Sequence, residues 1–256
     1  MRENKMKALI KAGKPALGCS IMVPSPQMVE VIAYSGFDWV LIDMEHGTIG
    51  LESAESMVMA AEVSGITPVV RPATNGKHEI SAVMDIGAQG VQVPHVNTSA
   101  DARNAVRAVK FMPGDNRSLA SSTRPNDYGF GGCMSEYAEA SNAQTLVCVQ
   151  LEHAEAIENI DEIMAVEDID VFFIGPSDLS QSMGYPGEPG AAPVAEAVAK
   201  SLARIKAAGH ASGMPATTAK IEEVLAAGCT YIYTHLPNMV RSGAAEFFTA
   251  SGLDRR

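Results

Sequence analysis

A closed barrel of eight parallel strands, each followed by a helix, is the fold this sequence predicts. Three observations lead there. Short runs of consecutive apolar residues recur eight times along the chain, the pattern of strands buried on both faces, as parallel strands are. A helical run follows each of them. The length, 256 residues, suits one such barrel, which typically takes about 250. An open, doubly wound sheet is the structural alternative, but the strand count fits closure better.

The elements follow in order. Arg2, Lys5, Lys7, Lys11 and Lys14 stand against Glu3 alone, which reads as a solvated first helix. The first strand is expected over 17–23. The helix after it, 25–34, opens with Ser25-Pro26, a cap and a first-turn proline. The second strand, 39–44, leads to a helix over 51–64 that stops before Gly65. The third, 68–71, leads to 77–85, which stops before Gly87. The fourth strand, 90–96, is followed by a helix over 99–110 with Thr98 as its cap. The stretch 111–144 is too long for a plain connection, and its Pro, Gly, Asn and Ser mark an elaborated loop with a short helix. The fifth strand, 145–151, feeds a helix over 153–166. The sixth, 171–175, precedes a helix over 195–208. The seventh, 211–214, is followed by 218–227, and the eighth, 230–235, by 239–250. Gly209 and Gly228 sit where helices end in a left-handed residue.

Composition narrows the function classes. With 46% hydrophobic and 19% charged residues, the chain has the means to bury a core and does not read as disordered. Its formal charge of −11 argues against sequence-general nucleic-acid binding, which needs a basic face. No run reaches the about 18 apolar residues of a membrane helix, and no apolar signal core opens the chain. Cys19, Cys133, Cys148 and Cys229 form no CxxC pair. A protein of the reducing cytoplasm, without membrane or nucleic-acid partners, is expected.

In such a barrel the chemistry sits at the C-terminal ends of the strands. The second strand ends in Asp43-Met44-Glu45-His46-Gly47. Alternation points Asp43 and Glu45 the same way. Asp43 paired with His46 would fix the imidazole tautomer and raise its basicity; a carboxylate capping the next helix is the plainer alternative. The third strand ends in Arg71, whose fork suits a substrate carboxylate, an ion pair with Asp43 or Glu45, or both. The fifth ends in Gln150-Leu151-Glu152, with Gln150 and Glu152 on one side, and the sixth in Gly175-Pro176-Ser177-Asp178. Glu152 and Asp178 therefore leave adjacent strand ends. Two such carboxylates make either a hard site for Mg²⁺ or Mn²⁺ or a proton-sharing acid pair without metal. His95, after Pro94 at the fourth strand end, reads as a packed histidine or a site residue, packing being the plainer reading. Asp85 lies near a helix end, where solvation is ordinary.

Several chemistries lack their residues. There is no P-loop, no dinucleotide-binding glycine pattern and no Gly-x-Ser-x-Gly elbow. No lysine stands at a strand end, so Schiff-base chemistry has no nucleophile. That absence points to electrophilic catalysis by a metal instead.

Four segments together carry a resemblance. They are Phe37-Asp38-Trp39-Val40-Leu41-Ile42-Asp43-Met44-Glu45-His46, Pro68-Val69-Val70-Arg71-Pro72, Gly87-Ala88-Gln89-Gly90-Val91-Gln92-Val93-Pro94 and Phe173-Ile174-Gly175-Pro176-Ser177-Asp178-Leu179-Ser180. Over about 17–189 the chain resembles the class II, metal-dependent pyruvate aldolases of the 4-hydroxy-2-oxoheptanedioate and 2-dehydro-3-deoxyglucarate type. The resemblance implies Glu152 and Asp178 as ligands of a divalent cation (Mg²⁺, Mn²⁺ or Co²⁺). It implies Arg71 against the pyruvyl group, Gln150 beside the keto acid, and His46 with Asp43 in proton transfer. It implies backbone amides around Ser177 and Asp178 on the substrate carboxylate. It also implies a homohexamer with the last helix exchanged and Asp85 extended toward a neighbouring subunit's site.

The activity implied is cleavage or formation of 4-hydroxy-2-keto acids through a pyruvate or hydroxypyruvate enolate and an aldehyde. Oxaloacetate decarboxylation and cleavage of an acyl-CoA-linked hydroxy acid use the same enolate and stand as alternatives. The chain departs from the pattern at Asn116-Arg117-Ser118, Gly213-Met214-Pro215-Ala216 and His235-Leu236-Pro237-Asn238, positions that bear on the aldehyde partner and the subunit interface.

Overall fold

A computed structural model describes residues 2–114 and 116–252. Eight parallel strands close into a barrel in sequence order. They are β1 (Ala16–Ile21), β2 (Trp39–Asp43), β3 (Thr67–Arg71), β4 (Gly90–Val93), β5 (Leu146–Leu151), β6 (Val171–Ile174), β7 (Ser212–Pro215) and β8 (Tyr231–His235). The helices are α1 (Lys5–Lys11), α2 (Pro26–Tyr34), α3 (Leu51–Ser64), α4 (Lys77–Asp85), α5 (Ser99–Val109), α6 (Met134–Gln144), α7 (Ala154–Glu158), α8 (Ile160–Met164), α9 (Pro176–Ser182), α10 (Ala192–Ala207), α11 (Ile221–Ala226) and α12 (Leu236–Ser251).

The expected caps are in place. Ser25 accepts from the Met28 amide, and Thr98 forms a reciprocal capping box with Asp101. Three differences have physical causes. The run 153–166 is two helices, because Asn159 leaves helical geometry between α7 and α8. The motif beginning Gly175-Pro176 starts a short helix, α9, with proline at its first position. And α1 is not merely solvated: Met6, Lys7 and Ile10 are buried. Met6 and Ile10 pack with Trp39, Leu146 and Val171, closing the N-terminal end of the barrel.

Two apolar regions follow from strand alternation. Val40, Ile42, Val70, Val91, Val93, Val149 and Ile174 point outward and pack under the helices. Trp39, Leu41, Val69, Cys148, Phe173, Tyr231 and Tyr233 point inward. The interior is unusually aromatic, and glycines make the room. A Cβ on Gly18 would lie 2.3 Å from Trp39 Cε2, and one on Gly213 2.6 Å from the Tyr231 carbonyl oxygen. Among the described residues no helix is long and apolar enough to cross a membrane.

Candidate active site

The inward parity that places Trp39 and Leu41 in the barrel also delivers Asp43. The same parity delivers Arg71 after Val69, Gln150 and Glu152 after Cys148, and His235 after Tyr233. Asp43 and Arg71 are register partners across β2 and β3.

Arg71 binds Asp43 with both arms of its fork, Nε to Oδ1 at 2.9 Å and Nη2 to Oδ2 at 2.5 Å. Its Nε also lies 3.2 Å from Glu45 Oε2, and its Nη1 donates to Gln150 Oε1 at 3.5 Å. The ion-pair reading of Arg71 thus holds for both carboxylates. Burial, the largest single influence, pushes the Asp43 carboxyl up, but the hydrogen bonds and charge of Arg71 outweigh it and hold the carboxyl below its ordinary value.

Asp43 does not meet the His46 ring. Its Oδ1 accepts instead from the backbone amides of Glu45 and His46, at 3.1 and 3.2 Å, which pins the turn after β2. The His46 ring is half exposed, with Nε2 3.8 Å from Glu45 Oε2.

Glu152 gathers a second group. Its Oε1 accepts from the His95 backbone amide at 2.9 Å, and its Oε2 accepts from Gln150 Nε2. The His95 ring spans two carboxylates, with Nδ1 3.1 Å from Glu152 Oε1 and Nε2 3.1 Å from Glu45 Oε1. One ligating atom each from Glu45, His95 and Glu152 lies within 4.8 Å of the others. Glu45 Oε2 is buried and accepts no hydrogen bond. Burial raises the Glu152 carboxyl above its ordinary value, against the lowering effect of the Gln150 and His95 hydrogen bonds. His235, at the end of β8, is pushed down by burial and then by the nearby Arg71 charge.

His95 is therefore not a packed histidine. Its side chain is 61% exposed, and its backbone takes a φ of 53°, a left-handed value that few non-glycine residues adopt. That turn, directly after Pro94, aims the ring across the barrel mouth. The place of His95 at the fourth strand end allows a site role, and the left-handed turn that decides for it is not visible in the residue types. Gln92 is not among the expected site residues, although a glutamine at an inward position between Val91 and Val93 is a readable signal.

Asp178 is not among the residues whose ligating atoms meet within 4.8 Å. It sits in the first turn of α9, half buried, with no hydrogen-bond or ion-pair partner among the described residues. Gly175, just before α9, presses on Glu152, since a Cβ there would lie 2.9 Å from Glu152 Cβ. Ser177 is exposed beside Asp178, and its amide belongs to the first helical turn, where no intrahelical acceptor exists. Asp85 ends α4, at the helix end remote from its own strand mouth. Its Oδ1 accepts from Arg117 Nη2 at 2.5 Å, and the Arg117 guanidinium lies 4.5 Å from the Phe111 ring centre. Arg117, one of the departing residues, thus anchors the long segment after α5.

Comparison with known proteins adds to this geometry. The family model described as HpcH/HpaI aldolase/citrate lyase matches residues 18–234. The hydroxypyruvate/pyruvate aldolase of Sagittula stellata is 37% identical over 212 residues, 83% of each chain. The 4-hydroxy-2-oxo-heptane-1,7-dioate aldolase of Shigella sonnei is 34% identical over 253 residues, 97% of this chain and 94% of that one. Among solved structures, an HpcH/HpaI aldolase/citrate lyase family protein from Burkholderia cenocepacia superposes with a TM-score of 0.91 at 28% identity, covering 98% of this chain and all of the other. With the family match spanning most of the barrel, the chain belongs to the HpcH/HpaI aldolase/citrate lyase family.

Proposed function

We propose that this carbon–carbon lyase is a divalent-metal-dependent aldolase. It would cleave or form 4-hydroxy-2-keto acids by way of the enolate of pyruvate or hydroxypyruvate and an aldehyde. The observation that carries the reading is the meeting of Glu45, His95 and Glu152 within 4.8 Å beside the buried Arg71. Two relatives named as aldolases of pyruvate, hydroxypyruvate and a hydroxy-oxo diacid support it.

The residues present fit a divalent cation. Carboxylates and an imidazole are suitable donors for Mg²⁺, Mn²⁺ or Co²⁺, and Glu45 offers a buried oxygen with no hydrogen bond. Glu152 would hold the ion together with Glu45 and His95, whose ligating atoms converge on one space, and Asp178 would join them from the first turn of α9. Once bound, the ion supplies Lewis acidity toward the keto acid.

The chain's own residues do the rest. Arg71, fixed by Asp43, sets a permanent positive charge where enolate charge develops. Gln150 lines the keto-acid position from the barrel side. The first-turn amides of Ser177 and Asp178 receive the substrate carboxylate. His46, half exposed at the mouth, takes the proton from the C4 hydroxyl in cleavage and returns it in synthesis.

Assembly as a homohexamer is part of the proposal. No residue of α12 is buried, and Leu17, Phe37, Ile221, Ile232 and Met239 line a groove beside β1 and β8. Exchange of α12 between subunits would cover this apolar surface, and Asp85 would face the neighbour's site. Four free cysteines, three of them buried, suit a reducing cytoplasm. The reading is tested by incubating the protein with a panel of aldehydes and either pyruvate or hydroxypyruvate in the presence of Mn²⁺. Formation of 4-hydroxy-2-keto acids supports it, and consumption of neither keto acid with any aldehyde refutes it.

A further inference from the structure

Below the strand mouth, a line of buried polar side chains runs through the barrel interior. The Tyr231 hydroxyl donates to Gln92 Oε1 at 3.0 Å. Gln92 Nε2 donates to Gln150 Oε1 at 2.5 Å. Gln150 Nε2 donates in turn to Glu152 Oε2, while Arg71 Nη1 donates to the same Gln150 Oε1. Tyr231, Gln92, Gln150, Glu152 and Arg71 are all buried.

Every link points in one direction. A primary amide has an accepting end and a donating end, so each glutamine has one orientation that satisfies both neighbours. A reversed Gln150 would set its carbonyl against the Glu152 carboxylate and its NH₂ against the Arg71 guanidinium, two repulsions in a dry interior. A reversed Gln92 would offer Gln150 a carbonyl where Gln150 needs a donor. Tyr231 holds the far end. Burial keeps its phenol well above the ordinary value, so it remains a donor. Its ring is fixed independently of the hydroxyl, with its centroid 4.2 Å from that of Trp39 and 5.9 Å from that of Phe173.

We propose that Tyr231 and Gln92 are positioning residues for the lyase reaction, holding Gln150 from inside the barrel with its carbonyl toward Arg71 and its amide toward Glu152. This rests on the functional reading above. An apolar filling would close the barrel without the cost of burying amides. The polar line instead transmits one defined orientation to the two charged groups at the mouth. A partner that orients a ligand without touching the ion typically changes affinity or activity by about 10–100-fold. Tyr231 stands two links further back, so a smaller effect is expected.

The test compares wild type with Tyr231→Phe, Gln92→Leu and the double variant. Mn²⁺ affinity is read from the free-ion EPR signal without substrate. The parameters kcat and KM are read from pyruvate release. Each single variant is expected to lose about 3–10-fold in both Mn²⁺ affinity and kcat, with KM nearly constant. The double variant is expected to be no worse than Gln92→Leu, because Gln92 is the link by which the Tyr231 hydroxyl reaches Gln150. Losses that multiply in the double variant overturn the proposal, as does Tyr231→Phe with wild-type affinity and kcat. If Gln92→Leu does not fold, Tyr231→Phe alone decides, because it keeps the aromatic packing. A wild-type protein that neither binds Mn²⁺ nor releases pyruvate overturns the functional reading and this inference with it, whereas a competent wild type with an unaffected Tyr231→Phe overturns the inference alone.

Discussion

Arg71 and Asp43 face each other across neighbouring strands and are joined by two parallel hydrogen bonds, at 2.9 and 2.5 Å. This bidentate pair fixes the guanidinium plane and leaves Nη1 directed at Gln150. It also ties the end of β2 to the end of β3, so that Glu45 and His46 leave the sheet from a rigid point. Asp43 accepts both of their backbone amides.

Asp43→Asn keeps the shape of this joint and removes its charge. Removing one partner of a buried cation costs up to about 3–5 kcal/mol, Glu45 remaining 3.2 Å from Arg71 Nε, and the same change is expected to lower kcat/KM about 100-fold through misplacement of Arg71. The Asp43 carboxyl is held below its ordinary value, so its stabilising contribution is complete above the unfolded-state pKa and is lost as pH falls through the folded one. The stability gap between wild type and variant should therefore narrow below about pH 4, as measured by urea unfolding across pH. A gap that widens in acid would contradict the assignment.

For the ion, Glu152→Ala and Asp178→Ala are each expected to abolish Mn²⁺ binding while the far-ultraviolet circular dichroism of the barrel is retained. Glu45→Gln and His95→Ala should each weaken binding by at least about tenfold. The free-ion EPR titration checks all four. Unchanged affinity in both Glu152→Ala and Asp178→Ala would refute the ligand assignment.

Much of this was legible in the sequence for a simple reason. Strand parity is a local property, so Asp43 with Glu45 and Gln150 with Glu152 could each be set on one side of a strand, and Arg71 at a strand end, from alternation and position alone. All eight strands lie within a few residues of the apolar runs that signalled them. What alternation does not carry is the direction of a side chain after the strand ends. His95 depends on a left-handed backbone turn, and the missing contact between Asp43 and the His46 ring depends on how the following turn folds. The helix α9 was hidden in a motif that reads as a strand end. The burial of Lys7 was hidden because its partners, the Thr145 carbonyl and Asp170, are far away in sequence.

The aromatic interior makes its own prediction. Gly18→Ala puts a methyl group 2.3 Å from the Trp39 ring, and the backbone of β1 is paired on both sides. A loss of about 1–3 kcal/mol is expected from overpacking. Trp39 is the chain's single tryptophan, so its fluorescence reports both the unfolding midpoint and the local change. Wild-type stability with an unshifted emission would contradict the packing described.

At the closed end of the barrel, Lys110 Nζ donates to the carbonyls of Asn142 and Thr145 at 2.8 and 2.9 Å. Burial, and then the charge of Lys7, push it down from 10.5 to about 8. Between these values the unfolded chain keeps a proton that the folded protein has released, so stability from this group rises with pH. The stability of wild type relative to Lys110→Met is expected to increase by about 1–3 kcal/mol from pH 8 to pH 10.5. A constant or falling difference would show that the buried ammonium keeps its charge.

A divalent ion held at the strand mouth, and not a lysine adduct, is proposed to carry the carbon–carbon lyase chemistry. The most direct measurement is pyruvate release from a 4-hydroxy-2-keto acid before and after EDTA, then after dialysis into Mg²⁺, Mn²⁺ or Co²⁺, with a parallel borohydride trap. Loss of activity in EDTA, recovery with at least one of these ions and no covalent trapping is the result expected. Full activity in EDTA together with a borohydride-trapped adduct would contradict it.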